Sequence, residues 1–356
     1  MKWIGALVLL AVLAFGGAWL FRADIGTWLF ERGVAAAVER DEIGALPDGL
    51  HVAMCGTGSP LPDPTRAGPC TAVIAGDRLF IVDIGAGAVR SFGPMGLPVG
   101  DVGAVFLTHF HSDHIDGLGE LLLLRWTGGG NESPLPVFGP TGVETVIDGL
   151  ATAYTIDSRH RVDHHGAAIV PPSGRGGQAL PFAVPGTGEM QTVYEEGGVR
   201  VQAFRVDHDP VRPAIGYRFD YAGRSLVISG DTARDETVAE ACSGCDLMIH
   251  EALNADMVNV MERRVAASGD DRLAQILEDI LNYHTTPVEA EEVAALGEAR
   301  MLVLTHIVPA VPNRFVEAAF LRGTGDVYSG DIVLARDGML FSLPADGDTI
   351  DRGMLM

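Results

Sequence analysis

Six consecutive residues, His109-Phe110-His111-Ser112-Asp113-His114, constrain this chain more than any other segment. They follow the apolar run Val105-Phe106-Leu107-Thr108, which reads as a strand. They precede Leu118 and the leucines at 121–124, which read as a helix. Extended backbone has a side-chain period of two, so His109 and His111 face the same side. Asp113 and His114 fall where the chain turns into the helix. Three imidazoles and a carboxylate between apolar stretches do not suit a solvated face. A core would not accept them unpaired either, since each unsatisfied buried polar group costs about 1–3 kcal/mol. A bound divalent cation satisfies all four together, and imidazole nitrogen and carboxylate oxygen are ordinary zinc ligands.

Later segments offer further ligands where apolar runs end. His208 follows the run at 199–206, Asp231 sits in Ser229-Gly230-Asp231-Thr232 after Leu226-Val227-Ile228, and His306 follows Met301-Leu302-Val303-Leu304-Thr305. Alone, each is an ordinary loop or capping residue. With the first cluster they make five histidines and two aspartates, the inventory for two metals sharing one bridging carboxylate. Short β-branched runs alternate with helical stretches at 119–126, 141–151, 271–281 and 287–296. Over about 290 residues this predicts one α/β domain with its sheets covered by helices.

The N-terminus carries a separate signal. Residues 3–21, WIGALVLLAVLAFGGAWLF, hold no charge and are flanked by Lys2 and Arg22. At about 1.5 Å per residue they reach close to the thickness of a bilayer core, which predicts a transmembrane anchor at 1–21. An N-terminal signal peptide is the competing reading. Lys2 favours an N-terminus inside and a catalytic domain outside, in the periplasm or beyond. Residues 22–49 then form a juxtamembrane helix and a linker ending in GALPDG. The helix either lies along the membrane or begins the globular part.

In its order of motifs (HxHxDH, a later single histidine, SGDT, HTT and LTHI) the chain resembles the metallo-β-lactamase fold superfamily. More narrowly it is similar to the branch of tRNase Z-type ribonucleases and arylsulfatase-like hydrolases. Gly56-Thr57-Gly58-Ser59-Pro60, Asp83-Ile84-Gly85 and Gly139-Pro140-Thr141-Gly142 support the likeness, which spans residues 50–343 and leaves 344–356 as a tail. The resemblance implies an α/β fold, a four-layer αβ/βα sandwich, here preceded by the transmembrane helix. It implies one zinc on His109, His111 and His208, and a second on Asp113, His114 and His306, with Asp231 bridging. Manganese or iron suits the same donors. A hydroxide shared by the metals would attack a phosphodiester or sulfate-like ester in line. His284, in Tyr283-His284-Thr285-Thr286, matches the position that contacts substrate and protonates the leaving oxygen; its plainer role is beside the cap of the helix at 287. Glu251 and Asp83 are candidates to orient site histidines. The candidate catalytic residues are thus His284, Asp113 and Glu251. The resemblance also implies a homodimer.

Composition bears on the substrate. Twenty-five basic against 47 acidic residues give a net charge of −22, while 47 % hydrophobic residues exclude a disordered chain. A tRNA grip needs many phosphate contacts, and residues 170–199, where a basic arm is expected, carry one arginine and three glutamates. These counts predict a small ester substrate and argue against tRNA. Three alternatives stand beside that reading: a tRNA 3′-processing endoribonuclease, a lactone or carboxylic-ester hydrolase, and a non-catalytic metal-stabilised binding module. His160, His164 and His165 read as a solvated loop, and His51 and His250 as structural. Cys242 and Cys245 read as a local pair or two free thiols, and Cys55 and Cys70 flank the first turn within reach of each other.

Overall fold

The computed structural model describes residues 2–39 and 41–356; Met1 and Arg40, the one within the expected anchor and the other within the expected juxtamembrane segment, lie outside it, as do the side chains of residues 2, 8, 9, 11, 14 and 37–39. The chain divides into two units, Met1–Glu42 and Ile43–Met356. The first consists of two helices, Lys2–Leu20 and Arg22–Glu39, joined at Phe21, whose N–H donates to the Gly17 carbonyl. Among the described residues no helix is long and apolar enough to cross a membrane. The first helix has 19 residues and begins on a lysine. Its uncharged remainder rises only about 27 Å, short of the roughly 30 Å hydrocarbon core. The expected transmembrane anchor is therefore withdrawn, and with it the membrane partner and the periplasmic placement, which rested on it alone.

The second unit is built of two sheets. Strands β1 (Gly49–Gly56), β2 (Cys70–Ala75), β3 (Arg78–Val82), β4 (Val102–Phe106), β5 (Leu135–Pro140) and β6 (Gly177–Phe182) belong to the first sheet. Strands β7 (Met190–Glu196), β8 (Val199–Arg205), β9 (Ile215–Tyr221), β10 (Arg224–Ile228), β11 (Leu247–Leu253), β12 (Met301–Val308) and β13 (Asp331–Leu334) make the second. The chain then returns through β14 (Met339–Pro344) and β15 (Asp351–Met354) to the far edge of the first, in the order β15-β14-β1-β2-β3-β4-β5-β6.

β1, β10 and β11 are buried along their whole length, which is what a sheet covered on both faces requires and why their sequences do not alternate. Between the sheets lie Phe80, Phe106, Tyr217, Phe219 and Phe341. Helices Ala88–Met95, Leu118–Gly129 and Val143–Ala153 cover the first sheet through Phe92, Leu121 and Ile147. Glu236–Cys242 and Pro287–Leu296 cover the second through Val238 and Val293. The result is the four-layer αβ/βα sandwich.

One segment differs from expectation. Residues around DSRHRVDHH form a helix, Thr155–His165, rather than a loop. Its last turn is closed by the Gly166 N–H on the Val162 carbonyl, and Arg161 pairs with Asp157 one turn back, so the histidines lie on a solvated helical face. The stretch at 170–199 contributes β6 and β7, one edge strand to each sheet. All four cysteines are paired, Cys55 with Cys70 and Cys242 with Cys245.

Strand direction sets the site. β8 and β10 both run antiparallel to β9 and therefore run the same way; β11 and β12 are parallel to β10. Their C-terminal ends share one edge of the sandwich. The end of β4 is tied to that edge by the Tyr217 hydroxyl, which donates to the Leu107 carbonyl at 2.7 Å, and by the Ile215 N–H, which donates to Thr108.

Candidate metal centre

His109, His208 and Asp231 each stand three residues beyond a strand, β4, β8 and β10 respectively. His111 caps the short helix Ser112–Ile115, which carries Asp113 and His114. His306 lies within β12 at a bulge. The fold brings all seven sequence-picked metal residues together. Donor atoms of His109, His111, His208 and Asp231 lie within 4.8 Å of one another, as do those of Asp113, His114 and His306. Asp231 is the hub: its Oδ2 is 3.3 Å from His114 Nε2, 3.4 Å from His306, 3.8 Å from His109 and 3.9 Å from His208.

Whether these residues suit a cation is answered by their unmet valences. His109 Nε2, His114 Nε2, His208 Nε2 and Asp231 Oδ1 are buried without a hydrogen-bond partner. Four such atoms in one cluster would cost several kcal/mol unless something else fills them. Nitrogen and carboxylate oxygen are the donors a divalent transition metal takes. Burial holds the His109 imidazole well below its usual pKa and brings His208 down to about 4, so both rings are neutral with a free lone pair. At His114 burial acts in the same sense, but Asp231 and Asp83 outweigh it and raise the pKa well above normal. Two carboxylates thus draw positive charge to this spot. The residues fit a divalent metal.

Neighbours aim the ligands. Asp83, beyond β3, accepts from His114 Nδ1 at 2.7 Å and from the Thr108 N–H and hydroxyl at 2.8 and 2.7 Å. His208 Nδ1 donates to the Tyr283 carbonyl at 2.9 Å, and the Tyr283 ring stands edge-on to it. Thr108 and Tyr283 were not singled out from sequence. Each directly precedes a site histidine, the one signal that could have marked them.

His284 joins the same cluster, with a donor atom within 4.8 Å of those of Asp231 and His306. Its Nδ1 is 2.8 Å from Glu251 Oε1. That oxygen already accepts the Thr285 and Thr232 N–H groups, at 3.1 and 3.3 Å. An oxygen accepting two amides is an acceptor toward the imidazole as well, so Nδ1 carries the proton and Nε2 is left for chemistry. The remaining histidines lie elsewhere. His51 bonds Ser342 and the Pro47 carbonyl. His250 is buried with Nδ1 on the Glu251 carbonyl and its pKa brought down to about 4 by burial. His160, His164 and His165 are exposed.

Close backbone packing holds the Asp113 turn. A Cβ on Gly85 would sit 2.3 Å from the Asp113 carbonyl oxygen and 2.6 Å from Gly68. Gly85→Ala should therefore displace that turn and destabilise the domain by about 1–3 kcal/mol, as overpacking does. Urea unfolding of the metal-free protein reads this out, and an unchanged midpoint would show that the turn tolerates the shift.

Comparison with known proteins bears on the same residues. A family profile described as "Beta-lactamase superfamily domain" matches residues 81–307, a span containing every candidate ligand. A ribonuclease Z of Mycobacterium marinum is 35 % identical over 265 residues, 74 % of this chain and 88 % of the relative; one of Mycobacterium bovis is 34 % identical over 291 residues, 81 % and 96 %. The crystal structure of human tRNase Z, short form, superposes with a TM-score of 0.58 at 23 % identity over 83 % of this chain and 99 % of that one. The metallo-β-lactamase fold protein YhfI of Bacillus subtilis gives 0.58 at 19 %, over 82 % and 99 %. These likenesses overturn two expectations, the preference for small or sulfate-like esters and the exclusion of tRNA. Net charge is a sum over the chain, whereas a scissile phosphate is met by a local cluster of donors, so −22 carried less weight than it was given.

Proposed function

The chain belongs to the metallo-β-lactamase superfamily, in its ribonuclease Z branch, as a metal-dependent hydrolase of phosphodiester bonds, and from that premise we propose that it is a tRNA 3′-processing endoribonuclease. The observation that carries this reading is the one-third identity to proteins named ribonuclease Z across nearly their whole length. The donor set gives it a chemical basis.

In this reading His109, His111 and His208 would hold one metal and Asp113, His114 and His306 a second, with Asp231 available to both. The preferred ion is zinc. Bound there, such a pair supplies a Lewis acid that lowers the pKa of water and neutralises charge on phosphoryl oxygens. The chain's own residues do the rest. Asp83 and the Tyr283 carbonyl fix the ring orientations of His114 and His208. His284, held at Nδ1 by Glu251, presents Nε2 to the oxygen that leaves. Burial of His109, His114, His208, Asp231 and His306 strengthens these electrostatic contacts.

The full chain, loaded with zinc, should cut a precursor tRNA carrying a 3′ trailer at a single position and leave aryl sulfate untouched. Denaturing gel electrophoresis of an end-labelled precursor decides it. An intact precursor under conditions where bis-p-nitrophenyl phosphate is hydrolysed would return the substrate to small diesters.

A further inference from the structure

His306 is held differently from His114 and His208. His114 and His208 are each tethered through Nδ1, whereas His306 Nδ1 has no partner. Its ring stacks between the imidazoles of His114 and His284, with centroids 5.3 and 5.4 Å away. Its backbone is also unusual. The register of β12 on β11 jumps from Glu251↔Thr305 to Ala252↔Ile307, leaving His306 bulged out with φ 48°. A non-glycine residue in the left-handed region costs about 1–3 kcal/mol and persists only where its surroundings over-determine it.

Those surroundings reach His306 from the other end of the chain. The Ile307 N–H donates to the Thr57 carbonyl at 3.0 Å. Thr57 is buried, and its own N–H and hydroxyl both donate to Asp337 Oδ1, at 2.9 and 2.7 Å. Asp337 Oδ2 accepts the Ala67 N–H at 2.7 Å, and Arg66 donates to the Thr57 hydroxyl oxygen and the Ala335 carbonyl. Asp337 stands between β13 and β14, so one carboxylate fastens both ends of the 57–67 loop against the strand that carries His306.

We propose that Asp337 is the positioning residue for His306: by clamping Thr57 it fixes the bulge of β12 and so sets the affinity of the metal site formed by Asp113, His114 and His306, without touching an ion. This rests on the two-metal reading above. Asp337→Ala frees Thr57 and lets the bulge relax toward ordinary strand geometry, which swings the His306 ring away from Asp113 and Asp231. The His109, His111 and His208 site meets His306 through the shared Asp231, 3.4 Å from it, and not through a contact of its own histidines with the clamp.

The test is a cobalt titration of the metal-free full chain, followed by visible absorption and calorimetry. Wild type should bind two ions. Asp337→Ala should keep the tighter event within about twofold and weaken the other by about 10–100-fold, the range seen when a ligand's supporting contact is lost. Asp337→Asn keeps an acceptor for Thr57 and should restore most of the second affinity. If Asp337→Ala does not fold, Thr57→Val, which removes the hydroxyl's bonds to Asp337 and Arg66 and keeps the N–H bond to Asp337, should weaken the second event severalfold and the first not at all. Two unchanged events, or equal weakening of both, would overturn the assignment in favour of a general structural role. A wild-type endpoint of one ion would instead overturn the metal pair, and the assignment with it.

Discussion

Asp231→Ala should lower phosphodiesterase activity at least about 10³-fold, beyond the 10–100-fold that loss of an outer contact costs, and should leave the protein unable to retain two metals. The expectation follows from where the carboxylate sits. One oxygen lies within 3.9 Å of four imidazoles, and the other is buried with no partner. Among the described residues no other carboxylate pairs with both groups of donors at once; Asp113 pairs with His114 and His306, at 3.5 and 3.2 Å. Without Asp231 each group loses a ligand, and two cations placed close together lose the anion that screens their repulsion. Asp231→Asn keeps the shape but removes the charge, so it should fold normally and fail in the same way. Metal analysis after dialysis, together with turnover of bis-p-nitrophenyl phosphate, separates the outcomes. Retention of both metals and of activity in either variant would mean that the seven residues are not the ligand set.

The parts of this centre that could be read from sequence are of two kinds: the compact run from His109 to His114, and single polar residues that end an apolar run. His109, His208 and Asp231 emerge three residues beyond strands whose C-terminal ends meet at one edge, and a parallel sheet exposes site residues there. The alternation of strands and helices gave the layers for the same reason. What could not be read depends on contacts made across the chain. Asp337 and Thr57 are 280 residues apart, and although Thr57 lies in the Gly56–Pro60 motif, nothing in either segment shows that the two meet. The Tyr283 carbonyl acts through backbone, which any residue would supply. The N-terminal misreading came from a length close to a threshold, where one or two residues decide the outcome. The stretch at 170–199 misled through its charge count, because one arginine against three glutamates says nothing of the donors gathered at the site.

His284→Ala should reduce kcat on an RNA substrate by about 10²–10⁴-fold, the usual contribution of a positioned acid or base, while both metals stay bound. His284 shares the cluster with Asp231 and His306 but is tied to Glu251 rather than to a second carboxylate of the centre. Its loss therefore removes a proton carrier without emptying a site. The leaving group provides the discriminating control. A ribose oxygen departs as a strongly basic alkoxide and needs a proton as its bond to phosphorus breaks, whereas p-nitrophenolate is stable as an anion and needs none. The variant should thus lose far more on RNA than on bis-p-nitrophenyl phosphate. Glu251→Gln should act in the same direction but more weakly, by about 10–100-fold, since it disturbs the orientation of the ring and not the ring itself. Equal losses on the two substrates would assign His284 to metal retention or to binding, and a KM effect with kcat intact would make it a contact for the phosphate alone.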